Sequence, residues 1–72
     1  MNKELQSYVK SEFQRVFKDK QFDVRASFPI PHQGTVIVKV DQVLPEMTSL
    51  AKAMENEFAE MDRILTIEVR SK

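Results

Sequence analysis

The period of the apolar residues changes along this chain, and that change limits the fold more than any other feature of the sequence. From residue 22 to residue 28 apolar and polar side chains alternate, as expected for a strand with one buried face. Residues 36–40 and 64–70 follow the same period, with Ile37 and Ile64 as the apolar exceptions on the polar face. In residues 5–17 and 47–61 the apolar side chains recur at helical spacing. The pattern therefore predicts the order helix, strand, strand, helix, strand.

Local signals place the ends of these segments. Helix 1 is predicted over about residues 3–19, strand 1 over about 22–28 and strand 2 over about 35–41. Pro45 suits the first turn of helix 2, because the proline ring presets the backbone angle and no amide donor is needed there. The prolines and the only glycine of Pro29–Gly34 predict a loop that joins strands 1 and 2 as an antiparallel hairpin, with the glycine supplying a permissive backbone.

Each helix and strand has one apolar face, so the chain is expected to bury all of these faces in a single layer. The economical arrangement is an α+β two-layer sandwich, in which both helices cover one face of a three-stranded mixed sheet. The link from strand 2 through helix 2 to strand 3 predicts a right-handed crossover between parallel strands. We favour the strand order 2-1-3 over the order 1-2-3, because strand 1 alternates most regularly.

The length and composition of the chain exclude several kinds of site. Residues 1–72 are enough for one small domain. The chain has no cysteine and a single histidine, which excludes disulfides and thiolate sites and argues against structural zinc. Phosphate loops, dinucleotide fingerprints and metal-binding motifs are missing from the sequence. We therefore expect no metal, no cofactor and no enzyme activity.

The charges balance, with 11 Lys and Arg against 11 Asp and Glu. A chain built mainly to bind nucleic acid usually has a basic excess, and near-zero charge favours self-association. Bases predominate in residues 1–40 and acids in residues 41–72, which indicates either two oppositely charged helices side by side or two faces for different partners. No apolar run could span a membrane and no signal-peptide pattern opens the chain, so we expect a cytoplasmic protein.

The segment Pro29–Gly34 is the first candidate contact surface. Ile30 lies between two prolines, with His32 and Gln33 close by, and a stiffened apolar tip loses little entropy on binding. The alternative is that Ile30 folds back beneath the helices. His32 could also act as a general base, but nothing in the spacing aligns a carboxylate and a nucleophile with it, so we predict a solvated histidine.

The outward face of the predicted sheet is the second candidate surface. Its members are Asp23, Arg25, Ser27, Thr35, Ile37, Lys39, Ile64, Thr66, Glu68 and Arg70. None of them is aromatic, so the face lacks the stacking platform typical of sheets that bind RNA. Two members are apolar, Ile37 and Ile64. They predict a patch for dimerisation or for a partner if they lie close together, and two isolated side chains otherwise.

A nucleic-acid interface is the alternative function. It would combine Arg25 or Lys39 with a basic strip on helix 1 and the segment after it, consisting of Lys10, Arg15, Lys18 and Lys20. The order of elements also resembles in outline the small KH-like RNA-binding domains. That family places a GxxG loop between helices, whereas the only glycine of this chain lies between two strands. The resemblance covers element order alone and implies no site residue here.

These observations favour a non-catalytic module that binds another protein or a second copy of itself. A small adaptor, regulator or inhibitor that acts by occupying its partner would fit this description. The predicted contact residues are Ile30, His32, Gln33, Ile37 and Ile64.

Overall fold

The helices and strands follow the predicted order. A computed structural model describes residues 2–30 and 32–72, without the side chain of Asn2. The elements are α1 (Asn2–Val16), β1 (Asp23–Ile30), β2 (Gln33–Val40), α2 (Pro45–Glu60) and β3 (Ile64–Ser71). Two helices and a three-stranded mixed sheet confirm the predicted α+β class. Helix α2 begins at the proline, as predicted.

One apolar layer fills the space between the helices and the sheet. Helix α1 packs against β1, and α2 packs against β3. The rings of Tyr8 and Phe58 meet edge to face, with centroids 5.9 Å apart, and link the two helices. The buried residues are Leu5, Val9, Phe13, Phe22, Val24, Val36, Val38, Val40, Met47, Ala51, Met54, Phe58, Leu65 and Ile67. All of them belong to the predicted apolar faces.

Two residues of the predicted helical stripes are not part of this layer. Val16 is 47% exposed and Met61 is 58% exposed. Val16 is the last residue of α1, and Met61 is the C-cap of α2. Both exposed positions are therefore at the C-terminal end of a helix, whereas Phe17, just past α1, still packs against the core.

The favoured strand order is wrong, and the order β1-β2-β3 is the one observed. Strand β2 pairs antiparallel with β1 and parallel with β3. The physical reason lies in how completely β2 is buried, because Val36, Val38 and Val40 are all 0% exposed, whereas the inward side chains of β1 and β3 keep some exposure. The strand whose inward side chains are covered most completely lies at the centre of the sheet, where it has neighbours on both sides. Regular alternation in β1 indicates that one face of the strand is buried, but it does not indicate how many strands pair with β1 on its two sides.

The predicted loop over Pro29–Gly34 is also wrong, because the two strands continue into it. Pro29 and Ile30 end β1, and Gln33 and Gly34 begin β2, with Ile30 paired to Gln33. The register shifts between Ser27 and Ile30, so Pro29 lies in an irregular stretch of an edge strand, a position that tolerates a missing amide donor. Pro31 lies outside the described residues.

Gly34 is required because a larger residue would not fit at this position, and not because the backbone there needs a conformation that only glycine favours. Its φ is not positive, so the permissive backbone predicted from the sequence is not used. A Cβ at this position would lie 2.6 Å from the carbonyl oxygen of Ser27 and 2.8 Å from the ring of Phe28. The half-buried Phe28 ring therefore packs directly over the glycine of the neighbouring strand.

We predict that Gly34→Ala destabilises the fold by roughly 1–3 kcal/mol, because the added methyl group overlaps backbone as well as a side chain. The free energy of unfolding from urea titration measures the effect. Thr35→Ala, at the exposed position next in sequence, should change that free energy by no more than about 0.5 kcal/mol. Equal stability of the two variants would contradict the assigned role of Gly34.

The centre of the core gives a second prediction. Phe13 is 0% exposed and packs against Phe22, with ring centroids 5.3 Å apart. Phe13→Ala should cost roughly 3–5 kcal/mol, a large part of the stability of so small a domain. Val16→Ala on the same helix serves as the control and should have a far smaller effect. Thermal unfolding followed by circular dichroism compares the two.

Candidate interaction surface

One face of the sheet is left uncovered, because both helices pack against the other face. The residues that the sequence analysis placed on this outward face are all exposed, except for the half-buried Ile37. The strand extensions add Ile30 and Gln33, which pair with each other and lie on the same face. We call the resulting surface the open face.

The strand registers arrange the open face as four rows, each with one residue from β1, β2 and β3. Directly paired residues share a face, so the members of a row are neighbours. From the hairpin end, the rows are Ile30/Gln33/Ile64, Ser27/Thr35/Thr66, Arg25/Ile37/Glu68 and Asp23/Lys39/Arg70. The composition changes from apolar, through hydroxyl-bearing, to charged along the strands.

The first row contains three of the five predicted contact residues, and a fourth, His32, adjoins the row in the hairpin turn. Ile30 and Ile64 flank Gln33 and are 55% and 64% exposed. The alternative in which Ile30 folds beneath the helices is therefore wrong. The amide of Ile64 donates a hydrogen bond to the carbonyl oxygen of His32 at 2.8 Å, which fixes the start of β3 to the hairpin turn. His32 itself is exposed and has a left-handed φ of 72°.

The backbone turn between α2 and β3 places Ile64 in this row. Asp62 has a φ of 59°, and its amide donates to the carbonyl oxygen of Ala59 at 3.1 Å. The amide of Arg63 donates to the carbonyl oxygen of Phe58 at 3.0 Å. This pattern of bonds with a left-handed residue after the cap ends α2 and turns the chain sharply toward the sheet.

The fifth predicted residue, Ile37, lies apart from Ile64. Its paired neighbours are Arg25 and Glu68, and it lies two rows from the first row. That spacing corresponds to about 13 Å along the strand. Ile37 and Ile64 therefore do not form the joint patch that the sequence analysis considered. Ile37 is the apolar centre of a charged row.

Ion pairs within single strands order the charged end of the open face. Arg70 and Glu68 on β3 lie 2.9 Å apart, and Arg25 and Asp23 on β1 lie 3.9 Å apart. The hydrogen bond to the Glu68 carboxylate, reinforced by its charge, raises the pKa of the Arg70 guanidinium above its ordinary value. Lys39 stands between the two pairs and belongs to neither of them.

The basic residues of the alternative function do not form one surface. Lys10 and Arg15 lie on α1, in the helical layer, whereas Arg25 and Lys39 lie on the open face on the opposite side of the sheet. Arg15 is paired with Glu12 at 2.8 Å. Lys18 and Lys20 follow α1 in the turn toward β1. A strip that continues from helix 1 to Arg25 or Lys39 is therefore not present.

Sequence reasoning missed the way in which helix side chains cover both edges of the sheet. Gln6 on α1 accepts a hydrogen bond from the amide of Ala26 in β1 at 3.1 Å. Glu55 on α2 accepts one from the amide of Ile67 in β3 at 2.6 Å. Each acceptor adjoins a buried residue of its helix, Leu5 or Met54, and that position beside an apolar stripe is the only signal in the sequence. The edges are blocked near their middle against the addition of another strand.

We predict that Glu55→Ala releases the amide of Ile67 and raises its hydrogen-exchange rate by about tenfold or more, because a hydrogen bond to a charged group is lost. Glu55→Gln, which keeps an acceptor oxygen, should show a smaller increase. Exchange measured by NMR on both variants, corrected for any change in global stability, tests the contact. Equal protection of Ile67 in Glu55→Ala and the wild type would contradict it.

A shallow depression between the two helices is lined by Glu4, Leu5, Tyr8, Phe58 and Arg63. Burial, followed by the charges of Glu57 and Glu12, raises the pKa of the Tyr8 hydroxyl above its ordinary value. Within residues 2–30 and 32–72, no three His, Asp or Glu side chains gather as a metal-holding group. Neither helix in this part of the chain combines the length and the apolar character needed to cross a bilayer.

In comparisons with known proteins, no family model, curated protein or solved structure matches this chain.

Proposed function

We propose that this chain is a non-catalytic protein-binding module that contacts its partner through the open face, with the first row as the anchor. The observation that carries the proposal is the placement of Ile30 and Ile64, more than half exposed, on either side of Gln33 on an uncovered sheet. Such a module suits an adaptor, a regulator or an inhibitor. The cytoplasmic location expected from the sequence remains a prediction.

The surface has the properties of a binding site with a small ordering cost. Its residues belong to paired strands, so the backbone is already fixed before a partner arrives. Exposed β-branched side chains supply the apolar area, and the hydroxyl and charged rows beside them supply a polar rim. The side chains of Gln6 and Glu55 each occupy one amide on an edge strand, which favours docking on the face over strand addition.

The nucleic-acid alternative has weaker support. The net charge is zero, the basic residues are divided between two sides of the molecule, and three of the arginines are paired with carboxylates. The nucleic-acid alternative predicts retention on single-stranded nucleic acid that falls steeply as the salt concentration increases. The experiment below would therefore still detect it.

We predict that Ile30→Asp and Ile64→Asp each reduce capture of the partner from nuclease-treated extract of the source cell by about tenfold or more, since a charge replaces an apolar anchor. The extract should also contain an untagged copy of this chain, so that self-capture is scored. Val16→Asp is the matched control, because Val16 is 47% exposed on the helical layer. It should bind as the wild type does.

The outcomes of this experiment are distinct. Capture that survives both isoleucine substitutions, or that is lost equally in Val16→Asp, contradicts the proposal. A parallel capture from untreated extract serves as the comparison, and capture that occurs only there and falls as salt increases supports the nucleic-acid alternative instead. Thermal unfolding of each variant shows whether a loss of capture reflects a loss of fold.

A further inference from the structure

We propose that the occupant of the open face is a second copy of this chain, related by a two-fold axis that runs along β2. This inference rests on the proposed function, because it assumes that the open face is the binding surface. Under that symmetry the charges of the open face are complementary to those of the same face on the second copy.

The proposed axis fixes which strands meet. A two-fold axis parallel to the strands, between the two sheets, places β2 opposite β2 of the second copy and β1 opposite its β3. Each row then faces the same row of the second copy. Every contact between different residues occurs twice, as in any two-fold interface.

The charged rows are complementary in this arrangement. Arg25 of one copy faces Glu68 of the other, and Asp23 faces Arg70. The order of charges along β1 is the reverse of the order along β3, because the acid precedes the base on both strands but the strands run in opposite directions. The ion pairs within the strands would thus join into networks of four alternating charges.

The remaining rows also match. Ile30 faces Ile64 at the hairpin end, and Ser27 faces Thr66 in the next row. Ile37 lies on the axis and meets its own counterpart, which gives the interface an apolar centre. Lys39 also meets its counterpart, and this like-charge contact is the one unfavourable element of the arrangement.

A second two-fold axis is possible midway between the two sheets, running perpendicular to the strands. An arrangement about that axis does not give complementary charges. It would bring the first row against the fourth, so that Ile30 faces Asp23 and Ile64 faces Arg70. Charged groups would then lose water against apolar side chains without gaining partners. The distribution of charges therefore favours the two-fold axis along β2.

The size of the open face determines how strong the association is. Three strands and four rows make a surface about 14 Å wide and about 27 Å long. Burial of such a surface on each copy falls below the range for stable protein interfaces. We therefore expect a reversible dimer that weakens as salt screens the charged rows.

The test uses two substitutions that reverse single charges on opposite strands, Arg25→Glu and Glu68→Arg. Each variant alone should self-associate at least about tenfold more weakly than the wild type, because like charges then meet twice across the axis. An equal mixture of the two variants should recover the association, since every charge at position 25 then faces an opposite charge at position 68. Sedimentation velocity of the purified full chain at low and high salt measures both effects.

A second mixture separates specific pairing from general attraction between oppositely charged proteins. Lys52→Glu and Glu57→Lys change the net charge by the same amounts at exposed positions of α2. Each should self-associate as the wild type does, and their mixture should show no gain over either variant. Recovery confined to the open-face mixture supports the dimer.

Two results would overturn the dimer. One is a wild type that stays monomeric at the highest concentrations accessible to sedimentation. The other is an open-face mixture that associates no more strongly than the α2 mixture. Neither result decides the proposed function, because loss of heterologous capture by Ile30→Asp and Ile64→Asp would still show that the open face binds a different protein.

Discussion

Burial of strand β2 is the constraint on which the rest of the structure depends. Its three inward valines, Val36, Val38 and Val40, are completely covered by the helical layer. Its backbone pairs with β1 on one side and with β3 on the other, so most of its amide and carbonyl groups are satisfied within the sheet. Both helices must then lie on the valine side, and the opposite side of all three strands stays uncovered.

The candidate site follows from the same constraint. Because β2 is paired antiparallel to one neighbour and parallel to the other, the acid and the base of β1 and β3 alternate in opposite order across the open face. The shift in register near Pro29 brings Ile30 level with Gln33 and Ile64. The helices contribute at the edges as well, where Gln6 and Glu55 occupy edge amides. The open face, and not an edge strand, is therefore the main exposed surface of the sheet.

The predictions that were wrong share a physical origin. The regularity of β1 favours a central position for that strand, yet regular alternation reflects only burial above and below a strand. The prolines and the glycine predict a loop over Pro29–Gly34, yet an edge strand tolerates a proline at an irregular position. The sequence predicts backbone freedom at Gly34, whereas the Phe28 ring on the neighbouring strand is what requires a residue without a side chain there.

The sequence by itself determined the order of the elements, the α+β class and which side of each strand faces the helices. Those properties depend on spacing within a single segment, which periodicity records directly. Only the tertiary structure decided that Ile30 and Ile64 share a row, that Ile37 stands apart, and that charges on β1 and β3 oppose each other. Such relations depend on how distant segments align across β2, and alignment is set by the packing of the whole layer.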